Sequence, residues 1–181
     1  MLQRNFDPFP ALTSQRLRLR RLTSEDVQEI YNLRSNESVN LHLDRKPAQS
    51  VDDARIFIEK INAFIDRNEG LYWAICLKEN PRLIGTICYF DFSETEESAE
   101  IGYELHPFYQ HKGIMHEALS VVLPFGFQTL GLKSIIAVLS ANNENSIRLL
   151  EKNRFRLEPV GAKPEDNMVK YVRKEKPAGT S

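Results

Sequence analysis

Cysteine, tryptophan and glycine are scarce in this chain, with two, one and eight copies in 181 residues, and the scarcities exclude whole classes of protein. Cys76 and Cys88 lack the clustered spacing of a disulfide framework or a thiolate zinc site, so both are expected as free core thiols, which favours the cytoplasm. Excess charge of either sign is missing too: 24 Lys and Arg against 25 Asp and Glu leave a formal net charge of -1. Without an overall positive field there is nothing to hold nucleic acid, although a small anionic ligand is not excluded. No stretch reaches the roughly 20 apolar residues of a membrane-spanning helix. The first residues, with Arg4, Asp7, Pro8 and Pro10, lack an apolar signal segment. A soluble, unexported protein without internal repeats is expected.

What is present is enough apolar character, 41% of residues, to fill one compact core. Residues 1–13 read as an N-terminal arm, 14–173 as a single domain and 174–181 as a disordered tail. Residues 15–22 alternate Arg16, Arg18 and Arg20, expected to face water, with Leu17 and Leu19 at strand period. Thr23 with Asp26, and Ser50 with Asp53, have capping-box spacing and predict two helices, the first to about Arg34, the second ending at Gly70. The loop between them is a candidate gate. Extended runs at 71–77, 83–92 and 99–105 predict an antiparallel meander, with Trp73, Tyr89, Phe90 and Phe92 assigned to packing. Residues 113–130 are patterned as a helix in which Pro124 must kink or break the last turns. A buried strand at 133–141, a short helix at 145–153 and two strands at 155–160 and 168–172 complete the chain. That order predicts an α/β fold, a mixed sheet with helices on both faces.

The informative stretch is 99–119, which reads strand, tight loop, helix. Free main-chain N–H groups at the start of such a helix, at the positive end of its dipole, form an anion site, and Gly113 lets the backbone approach a phosphate. The loop has neither the Gly-x-Gly-x-x-Gly of a dinucleotide fold nor the Gly-Lys-Ser/Thr of an NTP-binding loop, which leaves coenzyme A.

Gln110-His111-Lys112-Gly113-Ile114-Met115 resembles the Gln/Arg-x-x-Gly-x-Gly/Ala pyrophosphate loop of the GCN5-related N-acetyltransferase superfamily, with Met115 in place of a small residue. Downstream, Asn142-Asn143-Glu144-Asn145-Ser146 and Lys152-Asn153-Arg154-Phe155 are similar to its Asn-x-x-Asn/Ser and Lys-x-Gly-Phe patterns, with Arg154 where glycine is usual. The resemblance spans about 14–172, and the string around 99–103 and 117–119 looks like the branch that acetylates ribosomal-protein N-termini. It implies a mostly antiparallel central sheet of about seven strands, splayed between the fourth and fifth strands, 99–105 and 133–141. It also implies acetyl-CoA as cosubstrate, without a metal. Pantetheine would lie in the splay, paired with the main chain of Tyr103, Glu104 and Leu105. Gln110, His111, Lys112, Gly113, Ile114 and Met115 would hold the pyrophosphate, and Asn142 and Asn145 would contact the arm.

Acetyl transfer to an amine needs a neutral nucleophile, a polarised thioester carbonyl and a proton for the departing thiolate. Glu100 is the candidate base, with Glu104 on the same strand face as a substitute; a solvated strand-end carboxylate is the bland alternative. For the thiolate, many members of the superfamily use a helix tyrosine whose place here is Leu150. The resemblance gives that role to Ser146, which could instead only cap a helix. Neither cysteine has an adjacent base, so direct transfer is expected rather than an acyl-enzyme. His42, His106, His111 and His116 share no metal-ligand spacing and are expected at the surface.

An α-amine, with a pKa near ~7.8, is about a tenth neutral at pH 7, whereas a lysine amine near ~10.4 is neutral about once in several thousand. Both this and the resemblance favour a protein or peptide N-terminus as acceptor, of the ribosomal-protein type. A small-molecule amine (polyamine or aminoglycoside) and a non-catalytic acyl-CoA sensor are the alternatives. A monomer and a homodimer are both compatible with an edge strand near the C-terminus.

Overall fold

The computed structural model describes residues 1–43, 45–159 and 167–175. Eight strands form one sheet: β1 (Leu12–Thr13), β2 (Leu17–Arg20), β3 (Leu71–Leu77), β4 (Asn80–Ser93), β5 (Ser98–Leu105), β6 (Ser134–Ser140), β7 (Arg156–Glu158) and β8 (Met168–Lys174). Their spatial order is β1-β2-β3-β4-β5-β6-β8-β7. Only β5 and β6 pair in parallel; the other recorded pairings are antiparallel. The helices are α1 (Val27–Ser35), α2 (Glu37–Asn40), α3 (Val51–Asp66), α4 (Ile114–Pro124) and α5 (Glu144–Lys152).

The architecture is the expected mixed α/β fold, with one strand more than the seven foreseen. The addition is β1, two residues long and too short to leave a periodic signature. Residues 1–13, read as an arm, also bury Leu2 and Phe6 in the core, and Pro10 accepts a hydrogen bond from the Trp73 indole at 2.7 Å. Lys174, read as the start of the tail, closes β8; residues 176–181 of that tail, and the end of the strand expected at 155–160, lie outside the described residues.

Local chemistry explains the elements that carry the site. Ser50 and Asp53 form the reciprocal capping box that starts α3, whereas the same device at Thr23 and Asp26 opens a short 3-10 turn leading into α1. The first six residues of β3 are buried, as a central strand covered on both faces requires. Of the arginines expected to face water, Arg20 instead makes a two-pronged contact with Asp26, at 2.7 and 2.8 Å. Pro124 does not break its helix. Lacking an N–H, it widens the ladder into a π-helical turn over Phe125–Thr129, closed by the Leu130 amide on the Phe125 carbonyl at 3.1 Å.

Candidate functional site

β5 pairs with β6 only through Ser98, Ala99 and Glu100; beyond Glu100 the two strands part. The splay therefore has its apex at Glu100 and opens toward Leu105. A cavity of about 610 Å³ occupies the open end, walled by the last residues of β5, the loop into α4, the first turns of α5 and the segment 38–43.

The loop into α4 leaves main-chain amides open at a helix start. His111 and Gly113 both have left-handed backbones, φ 59° and 73°, a conformation that suits glycine at the second position. The first intrahelical bond runs from the Glu117 amide to the Gly113 carbonyl at 3.0 Å, and Gly113 supplies no side-chain cap. The amides of Ile114, Met115 and His116 therefore have no acceptor within the helix and stand at its positive end. Ile114 and Met115 turn their side chains into the core, which explains how a large residue is accommodated at position 115.

Side chains from elsewhere brace this loop. The Gln110 amide donates to the Leu105 carbonyl at 2.9 Å, tying the loop to the end of β5. Glu117 accepts from the Arg16 main chain and guanidinium, both at 2.6 Å, and from the Ser14 hydroxyl at 2.7 Å, while Arg16 also reaches the Lys112 carbonyl at 3.2 Å. Burial alone would raise the Glu117 carboxyl, but these donors together hold it below its ordinary value, so it stays ionised and the brace stays charged.

The opposite wall is the N-terminus of α5. Asn143 is its N-cap, its side-chain oxygen accepting from the Ser146 amide at 3.2 Å, and this bond fixes the first turn so that Ser146 faces the cavity. Arg148 and Lys152 line the same wall; Arg148 is paired with Glu144 at 2.7 Å, and Lys152 adds positive charge.

Neighbouring residues of β5 point to opposite sides of the sheet. Tyr103 lines the cavity, as Ser146 of α5 does; burial pushes its phenol up to about 12, partly offset by the Ser146 side chain. Glu104 instead meets the loop after α2, where both carboxylate oxygens are taken by Arg45, at 2.8 and 2.5 Å. Glu100, on the same face as Glu104, sits at the apex; burial and then the charge of Asp91 raise its carboxyl above the ordinary value.

Of the residues singled out from sequence, Tyr103, Glu104, Leu105, Gln110, His111, Gly113, Ile114, Met115, Asn145 and Ser146 line the cavity. Glu100, Lys112 and Asn142 do not: Glu100 lies at the apex, Lys112 stacks its ammonium 3.8 Å over the Phe108 ring, and Asn142 is an exposed turn residue. Sequence reasoning missed Asn143, Arg45, Arg148 and Lys152, and it left His42 and His116 as surface residues although both line the cavity. The Asn143 to Ser146 spacing was a readable cap signal; the contacts of Arg45 and His42 across the fold had no local signature. Among the described residues no group of three His, Cys, Asp or Glu side chains could hold a metal ion, and no helix is long and apolar enough to cross a membrane.

An uncapped, amide-rich helix start facing a splayed β-sheet defines a site for an extended ligand with a phosphate head, and residues 16–156 match the acetyltransferase (GNAT) domain family. The chain belongs to that family, whose members are acetyltransferases that use acetyl-CoA. It is 36% identical over 152 residues to Bacillus subtilis (strain 168) "Uncharacterized N-acetyltransferase YoaA", covering 84% of this chain and 86% of that one. It is 24% identical to the spermidine N(1)-acetyltransferase of Escherichia coli (strain K12) over 78% of this chain and 74% of that protein. Among solved structures, the ribosomal L7/L12 alpha-N-protein acetyltransferase in complex with coenzyme A superposes with a TM-score of 0.78 at 19% identity, covering 91% of this chain and 98% of that one.

The residues present suit acetyl-CoA: open amides and the Lys152 ammonium for phosphates, and a stretch of β5 whose β6-side edge is unpaired for an amide-bearing arm.

Proposed function

We propose that the protein acetylates the α-amine of a protein or peptide N-terminus, of the kind carried by ribosomal proteins. The observation that carries this reading is the charge of the cavity. Glu104 is the one carboxylate lining it among the described residues, and Arg45 neutralises it; Lys152 is cationic, and Arg148 is paired with Glu144 at 2.7 Å. A polyamine needs free carboxylates to offset its several ammonium groups, and none lines this cavity among the described residues; a peptide N-terminus brings a single, weakly basic amine.

Acetyl-CoA supplies the activated acyl group. The amides at the start of α4, with Gln110, His111, Lys112, Gly113, Ile114 and Met115, hold its pyrophosphate, and the main chain of Tyr103, Glu104 and Leu105 aligns the arm. Asn145 contacts the arm from α5, whose first turn Asn143 caps. Glu100 accepts the amine proton: both oxygens of Glu104 are engaged by Arg45, whereas burial and then Asp91 raise the Glu100 carboxyl above its ordinary value, which makes it the better base. Ser146 faces the departing sulfur.

Thiol release measured with acetyl-CoA and a panel of N-terminal peptides, polyamines and aminoglycosides tests the acceptor. Peptides should give the highest kcat/KM. Preference for spermidine or an aminoglycoside would overturn the α-amine assignment, and coenzyme A binding without thiol release on any amine would make the chain a sensor.

A further inference from the structure

Among the described residues three imidazoles line the cavity, those of His42, His111 and His116, and of these only His116 has a recorded side-chain hydrogen bond. Its ring belongs to the first turn of α4, and Nδ1 lies 3.1 Å from Oδ1 of Asn153, the residue that closes α5. Asn153 is buried, and its amide has one allowed orientation. Nδ2 donates to the Leu149 carbonyl at 2.8 Å, and a carbonyl can only accept, so Oδ1 is the atom left for the ring. An amide oxygen has no hydrogen to give, so the bond requires the proton on Nδ1, and a neutral His116 ring keeps Nε2 as a bare lone pair. Nε2 has no recorded partner, and no buried side-chain nitrogen or oxygen lacks one among the described residues, so Nε2 is open to solvent.

The open amides of α4 are those of Ile114, Met115 and His116 itself, so one residue brings both an amide and a ring to the same helix start. A bare Nε2 repels a phosphate oxygen, whereas a protonated one donates to it as the amides do. The acetyl-CoA used by the family brings such oxygens. The carboxylates of the surroundings are already engaged: Glu117, next along α4, by Arg16 and Ser14, Glu104 of β5 by Arg45, and Glu144 of α5 by Arg148. The remaining charges are cationic, Lys152 of α5 on the cavity wall and Arg173 of β8, which donates to the Asn153 carbonyl at 2.9 Å. What is left to pair with a charged ring is an anion in the cavity.

We infer that His116 is a proton-coupled ligand of the coenzyme's pyrophosphate. Binding draws one proton from solvent onto Nε2, and the imidazolium then donates Nδ1–H to Asn153 and Nε2–H to a phosphate oxygen. This rests on the reading that the start of α4 holds the pyrophosphate. Because the bound form carries the extra proton, affinity falls as pH rises through the range in which imidazoles titrate.

The test uses the full chain and dephospho-coenzyme A, which lacks the terminal monoester; its pyrophosphate is a fully ionised diester that takes up no proton near neutrality, so any uptake is the protein's. Calorimetry in buffers of different ionisation heat should show proton uptake on binding, and the uptake should vanish in His116→Gln. Wild-type affinity should fall by up to about tenfold per pH unit over roughly pH 6 to 8. In the variant it should change by less than about twofold over that range, and near pH 6 it should be about tenfold or more below wild type, the loss of a charge-assisted hydrogen bond. Ring nitrogen-15 shifts follow the same step without a variant. In the free protein at alkaline pH, His116 should be protonated on Nδ1 and bare on Nε2; saturated with the nucleotide near neutrality, it should be protonated on both.

Uptake that persists in His116→Gln, the opposite tautomer in the free protein, or ring shifts that ignore the nucleotide would overturn the inference. So would uptake seen with coenzyme A and absent with the dephospho form, which would place the proton at the monoester. If the nucleotide binds and no proton is taken up, the inference fails and the phosphate reading of α4 survives. If Gly113→Glu binds as tightly as wild type, that reading fails as well.

Discussion

Two helices begin at the same cavity and begin differently. α5 opens on Asn143, whose side chain occupies the Ser146 amide, so this helix start is satisfied internally. α4 opens on Gly113, which has no side chain to offer, and its first amides face the cavity. Both have the same dipole and the same need for acceptors. The difference teaches that a closed helix start positions a side chain, here Ser146, whereas an open one leaves its amides available, which is why the proposed phosphate site falls on α4.

Breaking the open end should have the largest effect. Gly113→Glu forces a side chain into a left-handed backbone and puts negative charge where an anion belongs, so coenzyme A affinity measured by calorimetry should fall about a hundredfold or more. Unchanged affinity would remove α4 from the phosphate site. At the closed end, Ser146→Ala should leave coenzyme A affinity nearly intact and lower kcat by about tenfold or more; equal losses in both would reassign the serine to binding or folding.

Glu100→Gln sharpens the comparison from the apex, away from either helix. A base works ionised, and burial with Asp91 raises this carboxyl, so activity should be lost as pH falls through a limb lying above the ordinary carboxylate range. In the variant that limb should flatten, with a rate loss of about tenfold; its persistence would exclude Glu100. Asn143→Ala should have the smallest effect, about 1 kcal/mol for a lost cap, or roughly 2–4 °C in thermal midpoint. A drop in coenzyme A affinity as large as that of Gly113→Glu would mean the two helix starts share one role.

The fold was legible wherever periodicity ran long enough: Leu17 and Leu19 alternate into the core, and the Ser50 box starts its helix where the spacing placed it. β1 escaped because two residues have no period, and the π-turn after Pro124 because proline forecasts only disruption. At the site, the loop from Gln110 to Met115, which walls the cavity apart from Lys112, was readable because it is one contiguous segment. The choice between Asn142 and Asn143 was not, since adjacent asparagines differ only in which one meets the amide three residues on. Arg45 and Glu104 are 59 positions apart, and only the folded chain brings them together.

The far end of α4 has a consequence for its near end. The Tyr89 hydroxyl on β4 donates to the Val122 carbonyl at 3.0 Å, and Gly126 in the π-turn packs so close that an added methyl would come within 2.5 Å of that hydroxyl. The helix is thus a lever clamped at its C-terminal end. Eleven residues make an arm of roughly 16 Å, on which a tilt of about 10° would swing the opposite tip by roughly 3 Å, the length of a hydrogen bond. In the proposed reading, the amides offered to a phosphate are held from the near end by Glu117 on Arg16 and Ser14 and from the far end by a tyrosine.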